Sequence, residues 1–426
     1  MEKLLPTKGE RIWMFLTKLA FKNLTRHKKR TVVTALVISF GIFIFLLSDS
    51  LVIGLRNISL DNNIDLQTAH VQIMSQEYWD EREESPLDYL LNQNDQFINE
   101  TINNSPNITQ YSSRLSFTAT INNGQEEYPI QAIGIQPEKE KDIFELEEYI
   151  LEGEMLSSGQ KAVIGKSLAD LMGFEVGDYI TLLFKTKEGT FNTIDAELQG
   201  VLDTPNPVIN EMNVYIPLSL AQNSLNLNNK ISKYLIRLEN RDYSIEIAAN
   251  LNEKFNQQGL DVKAYNWEQL SKEVLAMVRQ GNIENLVMLA IIILLATVGV
   301  INTVILSALE RLEEIGMMKA LGLKAREIIY LFVLESAGIG FIGSAAGVIF
   351  GAIGVYFLEN IGISISAMTG GTTSFGMPIA GRIYGGWHPE AFLFIFFFGI
   401  IVSTLASILP ARWGANKDPV KAIYHR

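Results

Sequence analysis

The chain has 426 residues, 48% of them hydrophobic and 19% charged, with no cysteine and a formal net charge of −12. Without cysteine, disulfides and thiolate metal sites are excluded. An ordinary soluble globule is excluded by four long apolar runs.

In chain order, Ile12–Leu24 reads as an amphipathic helix, with Trp13, Leu16, Leu19, Ala20 and Leu24 on one face and Lys18 and Lys22 on another. Trp and Lys suit the inner headgroup layer; a helix that docks in the cytosol is the alternative. Lys18, Lys22, Arg26, Lys28, Lys29 and Arg30 precede the first apolar run with no acid among them, so this end is expected in the cytoplasm. No short apolar core with a small-residue cleavage site follows, and the first run is expected to stay as a signal anchor.

The apolar runs are Thr31–Ile53, Leu286–Leu309, Ile328–Leu358 and Ala391–Leu409. Each is long enough to cross a hydrocarbon layer of ~30 Å at about 1.5 Å per residue. Four spans return the C-terminus to the cytoplasm, where Arg412, Lys417, Lys421 and Arg426 face one Asp418. The segment between the first two runs is thereby expected outside. Arg56–Arg279 holds 17 basic and 35 acidic residues, a net of −18, which leaves +6 for the rest.

That outer segment alternates strand and helix signals. Strands are expected at His70–Met74 and Leu115–Ile121, a turn at Asn123-Gly124, and a hairpin partner at Tyr128–Ile135. Lys161–Leu183 reads as strand, helix (Ser167–Met172), turn at Gly177-Asp178 and strand (Tyr179–Leu183). Lys233–Leu238 follows as a strand, Ser244–Gln257 as a helix and Leu260–Tyr265 as a strand. The expected class is a membrane protein of four transmembrane helices with a large extracytoplasmic α+β domain. In that domain, 56–114 and 222–280 pair as one discontinuous subdomain, and 115–221 form a β-rich insertion. Spans are expected at 31–55, 283–309, 328–358 and 391–410. Residues 1–30, 310–327 and 411–426 are expected on the cytoplasmic side and 359–390 outside.

Gly159–Ser167 reads GQKAVIGKS, near the phosphate-cradling G-x-x-x-x-G-K-[ST] loop, but five residues separate its glycines instead of four. Gly165 is more simply the glycine of a strand-to-helix turn. His27, His70, His388 and His425 are scattered, so no metal site is expected, and no nucleophile motif is present. Gly343, Gly347 and Gly351 recur every fourth residue in the third run, allowing close approach of another helix. That neighbour belongs to this chain, the favoured reading, or to another subunit.

Glu310–Ile328 is short and charged. Leu312, Ile315, Met318 and Leu321 give an apolar stripe, Arg311, Glu314 and Lys319 lie elsewhere on the helix, and Gly322 suits a left-handed cap. It is an ordinary turn between spans or a lever that docks in a groove of a cytosolic partner.

Several stretches carry a family resemblance. EIGMMKALGLKAREIIYLFVLES (Glu314–Ser336) resembles the coupling-helix signature of MacB/FtsX/Lol-type (type VII) ABC transporter permeases. LAFKNLTRHKKRT (Leu19–Thr31) and LPARWGANKDPVKAI (Leu409–Ile423) match in order, and AVIGKSLADLMGFEVGDYITL (Ala162–Leu182) resembles the family's inserted outer subdomain. HVQIMSQEYWD (His70–Asp80) resembles the lipoprotein-releasing, LolC/LolE-like branch. A fused nucleotide-binding domain is not expected beside these motifs, and the outer domain is larger than in the FtsX branch.

The resemblance implies a porter-like outer subdomain and a permease subunit that extracts lipoproteins from the outer leaflet of a bacterial inner membrane by mechanotransmission. It implies no cofactor in this chain, ATP and Mg being bound by a separate, dimeric cytosolic ATPase. Further implied partners are a second permease subunit, identical or not, a lipoprotein substrate, a periplasmic carrier and membrane lipid, with no nucleic acid. The implied ATPase contact is Arg311, Glu314, Ile315, Gly316, Lys319, Ala320 and Gly322. Acyl chains would enter a cavity near Phe43, Phe45, Leu46, Leu47, Val287, Leu289 and Ile291. Alternatives are a MacB-like efflux permease for peptides or amphiphiles and, from another class, a signalling or scaffold protein with an outer sensor domain.

Overall fold

The computed structural model describes residues 8–26, 28–310, 312–364 and 382–416. His27, Arg311, Lys417, Asp418, Lys421, His425, Arg426 and residues 365–381 of the expected outer loop lie outside the described residues. The chain divides into two compact units. One holds the residues up to Arg56, Val278–Ser364 and the residues from Arg382 onward; the other holds Asn57–Met277.

The apolar runs are helices longer than the runs themselves: Lys28–Asn63, Lys272–Glu310, Ala325–Ile361 and Pro389–Ala415. Each exceeds what an apolar layer requires, because helical hydrogen bonding continues into polar sequence until a stop signal appears. One such stop is Gly362, at a positive φ of 66° after Ile361. Among the described residues, three stretches are apolar and long enough to cross a membrane: Thr31–Thr68, Ala325–Ile361 and Pro389–Ala415. The expected second span lies inside Lys272–Glu310 and is not among those three.

The second unit is built on a ten-stranded sheet. Its strands are β1 (Val71–Ser75), β2 (Ile108–Asn122), β3 (Glu127–Ile135), β4 (Ile150–Gly153), β5 (Lys161–Gly165), β6 (Tyr179–Lys185), β7 (Phe191–Leu202), β8 (Asn213–Pro217), β9 (Lys233–Leu238) and β10 (Val262–Asn266). The first and last parts of the unit pair, β1 lying between β9 and β10 with Val71 opposite Ile236 and Gln72 opposite Tyr265. Asn252, on the helix Ser244–Gln257, uses its side-chain amide on both backbone groups of Ala264, at 2.7 and 2.9 Å, and so covers the outer edge of β10.

The long strand β2 changes partners midway. Arg114 lies opposite Lys233 of β9, and from Leu115 the strand pairs with β3, then with β6 on its other side. Following the pairings β2–β3–β8–β5–β7–β6 returns to β2, so six strands close into a barrel. Phe117, Ile121, Ile164, Ile180, Leu182, Phe184 and Leu198 belong to the buried apolar core. Closure leaves no strand edge unpaired around the ring.

Sequence patterning located β3, β5, β6, β9 and the helix Ser244–Gln257 closely but left β4, β7 and β8 undrawn. FNTIDAELQGVL at Phe191–Leu202 mixes polar and apolar positions, because one part of the strand is exposed and the other buried. The near-miss phosphate-loop segment is the strand β5 running directly into a helix. Gly165 precedes the helix Lys166–Met172, and a Cβ there would fall 2.3 Å from Asn210 Cα, so the neighbouring backbone fills that space.

Candidate functional site

The charged loop folds as a helix, Leu312–Ala320, closed by Gly322 at a φ of +97° with its N–H donating to Lys319 O at 2.9 Å. The next helix starts at Ala325, where the Glu327 carboxylate accepts from the Lys324 N–H at 2.7 Å. A left-handed glycine followed by a carboxylate that satisfies an opening amide makes a sharp corner between two helices.

The expected apolar stripe does not stay on one face. Ile315 is buried and Met318 packs on the same cluster, whereas Leu321 is 82% exposed. The reason is geometric: a spacing of three falls about 60° short of a full turn at about 100° per residue, so Ile315 and Leu321 drift far apart around the axis. Of the residues expected to meet an ATPase, Ile315 and Gly316 face inward, Glu314 and Lys319 are half-buried, and Ala320 and Gly322 are exposed. Met317, which pattern reasoning did not select, is exposed beside them.

The amino-terminal helix Lys8–Arg26 packs on the helix Ala325–Ile361. Leu16, Ala20 and Leu24 are buried, the Trp13 ring meets Tyr330 edge-on at 4.6 Å, and a Cβ on Gly338 would fall 2.6 Å from Leu24 Cδ1. Met14, Phe15 and Phe21 stay exposed, interleaved with Lys18 and Lys22. Arg26 ends this helix 3.4 Å from Glu314, a partner that the sequence separates by 288 positions and could not reveal.

The glycine face packs within the chain. A Cβ on Gly343 would lie 2.9 Å from Ala35 O, on Gly347 2.8 Å from Ile42 Cβ, and on Gly351 2.4 Å from Leu46 Cδ1. On another face a Cβ at Gly340 would lie 2.8 Å from Ser403 Cβ, and Ser403 Oγ donates to Ser336 O at 2.8 Å. These small residues bring helix backbones close enough for van der Waals contact along several turns.

That seam occupies much of the expected acyl cavity. Leu46 lies against Gly351, Phe43 and Leu47 against Gly354, and Phe45 is buried in the same cluster that Leu289 packs on. Val287 and Ile291 are more than half exposed. Phe43, Phe45, Leu46 and Leu47 of the helix Lys28–Asn63 therefore face the helix Ala325–Ile361 or the cluster, because a four-residue glycine repeat accepts large side chains only from the helix opposite it. At the far end of the spans, His388 Nδ1 lies 3.0 Å from Asp49 and Trp387 Nε1 donates to Glu359 at 2.6 Å. These pairs join the segment before the helix Pro389–Ala415 to the helices Lys28–Asn63 and Ala325–Ile361; pattern reasoning did not find them.

Two family models match the chain: the MacB-like periplasmic core domain over residues 31–254 and the FtsX-like permease C-terminal over residues 286–419. The chain is 25% identical over 420 residues to the macrolide export ATP-binding/permease protein MacB of Escherichia coli, covering 95% of this chain and 59% of that one. It is 27% identical over 181 residues to an uncharacterized ABC transporter permease of Methanocaldococcus jannaschii, covering 42% of this chain and 41% of the relative. It is 21% identical over 311 residues to the lipoprotein-releasing system transmembrane protein LolC of Xylella fastidiosa, covering 70% of this chain and 74% of the relative. The chain thus spans roughly two-fifths to three-fifths of the length of the first two relatives named.

Proposed function

The chain belongs to the FtsX-like permeases that carry a MacB-like periplasmic core domain, and on that premise we propose that it is the permease subunit of an ATP-driven lipoprotein-releasing transporter in a bacterial inner membrane. The observation that carries the transport reading is the loop helix Leu312–Ala320. It presents Met317, Ala320, Leu321 and Gly322 outward on a corner fixed by its own hydrogen bonds. An exposed apolar tip on a rigid corner suits a groove in a partner protein. Here that partner is a dimeric cytosolic ATPase, which binds the ATP and Mg. The orientation follows from the basic amino-terminal segment.

The release reading rests on the match to LolC, which covers most of both chains. Each acyl methylene withdrawn from a bilayer costs about 0.8 kcal/mol, so extraction requires an apolar receptor together with ATP. Val287 and Ile291 are exposed apolar residues where such a chain, or a second permease subunit, would lie. A photo-crosslinker at Val287 or Ile291 in membranes that also contain the ATPase is expected to capture lipoprotein. Capture of none at either position, or at Leu47, overturns the release reading.

A second reading is export of peptides or amphiphiles, favoured by the match to MacB across 95% of this chain. Deleting the gene separates the two. Lipoprotein missorting supports release, and drug sensitivity with normal sorting supports export.

A further inference from the structure

The α/β unit contains a cavity of about 200 Å³ between β1, β3, β9 and the short helix Gln76–Asp80. Its walls include Arg82, Lys233, Gln72, Gln131, Tyr78 and Trp79. Among the described residues that line it none is acidic, although Arg56–Arg279 as a whole carries a net charge of −18. A cavity that keeps two cations and no carboxylate in so acidic a setting is selective for negative charge.

The cations are held in place. Arg82 donates Nη1 to Trp79 O at 3.0 Å and lies 4.2 Å over the Trp79 ring. That ring is stacked on Tyr265 at 4.1 Å, so Tyr265 and the Arg82 guanidinium cover its two faces and the ring fixes Arg82 beside the cavity. Lys233 lies across the strands from Arg114. The nearby Glu140 carboxylate already accepts from Arg114 Nε at 2.6 Å. Burial, with repulsion from Arg114, lowers the Lys233 amine to about 8, Glu140 opposing the shift. The amine thus remains mostly charged at neutral pH while lacking a carboxylate of its own. Gln72 and Gln131 each commit an amide donor within the protein, to Thr68 O at 2.8 Å and Ser85 Oγ at 2.9 Å. Their carbonyl oxygens remain as acceptors for a ligand donor.

We propose that this cavity binds a small organic carboxylate, with Lys233 and Arg82 as its counter-charges. Its volume is below the ~300–1,000 Å³ of pockets for drug-sized molecules, which limits the occupant to a small acid or one acidic end of a chain. The proposal stands independently of the transport reading.

The test uses the detergent-purified full chain, with benzoate as the probe and benzamide as its neutral isostere, followed by saturation-transfer NMR at pH 7. The expected result is binding of benzoate at least tenfold tighter than benzamide, weakened at least tenfold by Lys233→Gln and by Arg82→Gln. Arg82 is half-exposed, so Arg82→Gln keeps the test decisive where Lys233→Gln fails to fold. Equal binding of the two probes, binding unchanged in a folded variant, or no benzoate binding up to about 10 mM overturns the proposal.

Discussion

Arg26 Nη1 lies 3.4 Å from Glu314 Oε1, which ties the end of the amino-terminal helix to the loop helix. Both side chains are substantially exposed, and such pairs contribute about 0–1 kcal/mol. An intramolecular role alone would therefore make Glu314 tolerant of change. Glu314→Lys is expected to lower transport-coupled ATP turnover more than tenfold with membrane insertion intact. The charge swap Arg26→Glu/Glu314→Lys is expected to restore none of it. Recovery of turnover in the swap would assign Glu314 to the intramolecular pair.

The two ends of the apolar stripe are expected to respond differently. Leu321→Asp, at an exposed position, leaves thermal stability unchanged and weakens co-purification of the ATPase by more than ~1 kcal/mol, several-fold in affinity. Ile315→Asp places a charge in the buried cluster and lowers stability by about 3–5 kcal/mol. Normal ATPase capture by Leu321→Asp would remove the loop tip from the interface.

Along the glycine seam, the distance available to a new methyl group sets the cost. Gly347→Ala puts Cβ 2.8 Å from Ile42 Cβ and 2.9 Å from Ser39 O, and is expected to destabilise by about 1–3 kcal/mol. Gly299→Ala meets Val37 Cγ1 at 3.4 Å and is expected to change little. Thermal unfolding of the two variants in detergent compares them directly; equal midpoints would mean that the seam relaxes freely.

His70 sets an acid limit. Its Nδ1 accepts from the Leu238 N–H at 2.9 Å, and burial, with help from Arg237, lowers its pKa from 6.5 to about 4. As pH falls, the unfolded imidazole takes up its proton first. The stability contribution is therefore full above about 6.5 and lost progressively toward pH 4, by roughly 3 kcal/mol at most. His70→Asn retains an acceptor without titrating, so its unfolding midpoint is expected to fall less steeply across that range. An unchanged slope would place the acid sensitivity elsewhere.

Arg114 and Glu140 are both buried, and the Arg114 guanidinium lies 4.1 Å over the Phe144 ring. Glu140→Leu alone leaves a buried cation and is expected to cost about 3–5 kcal/mol, whereas Arg114→Met/Glu140→Leu is expected to come close to neutral. Urea unfolding followed by circular dichroism measures both. Parity of the single and double variants would mean that water takes over the compensation.

The residue pattern alone located the apolar runs, the hairpin around Asn123-Gly124, the strands other than β4, β7 and β8, the helix Ser244–Gln257, and the every-fourth-residue glycine face. Each of these signals lies within a few residues of itself: hydrophobic period, turn chemistry and chain length act locally. Tertiary structure alone decided the rest. The barrel closes only because β2, after leaving β9 at Arg114, meets β6 as well as β3. The Arg26–Glu314 pair and the Lys233–Arg114–Glu140 cluster join residues far apart in sequence. The stripe Leu312, Ile315, Met318 and Leu321 read as one surface because spacing does not record which side of a helix its neighbours cover. Packing turned Ile315 inward and left Leu321 out, since a face is defined by what lies against it.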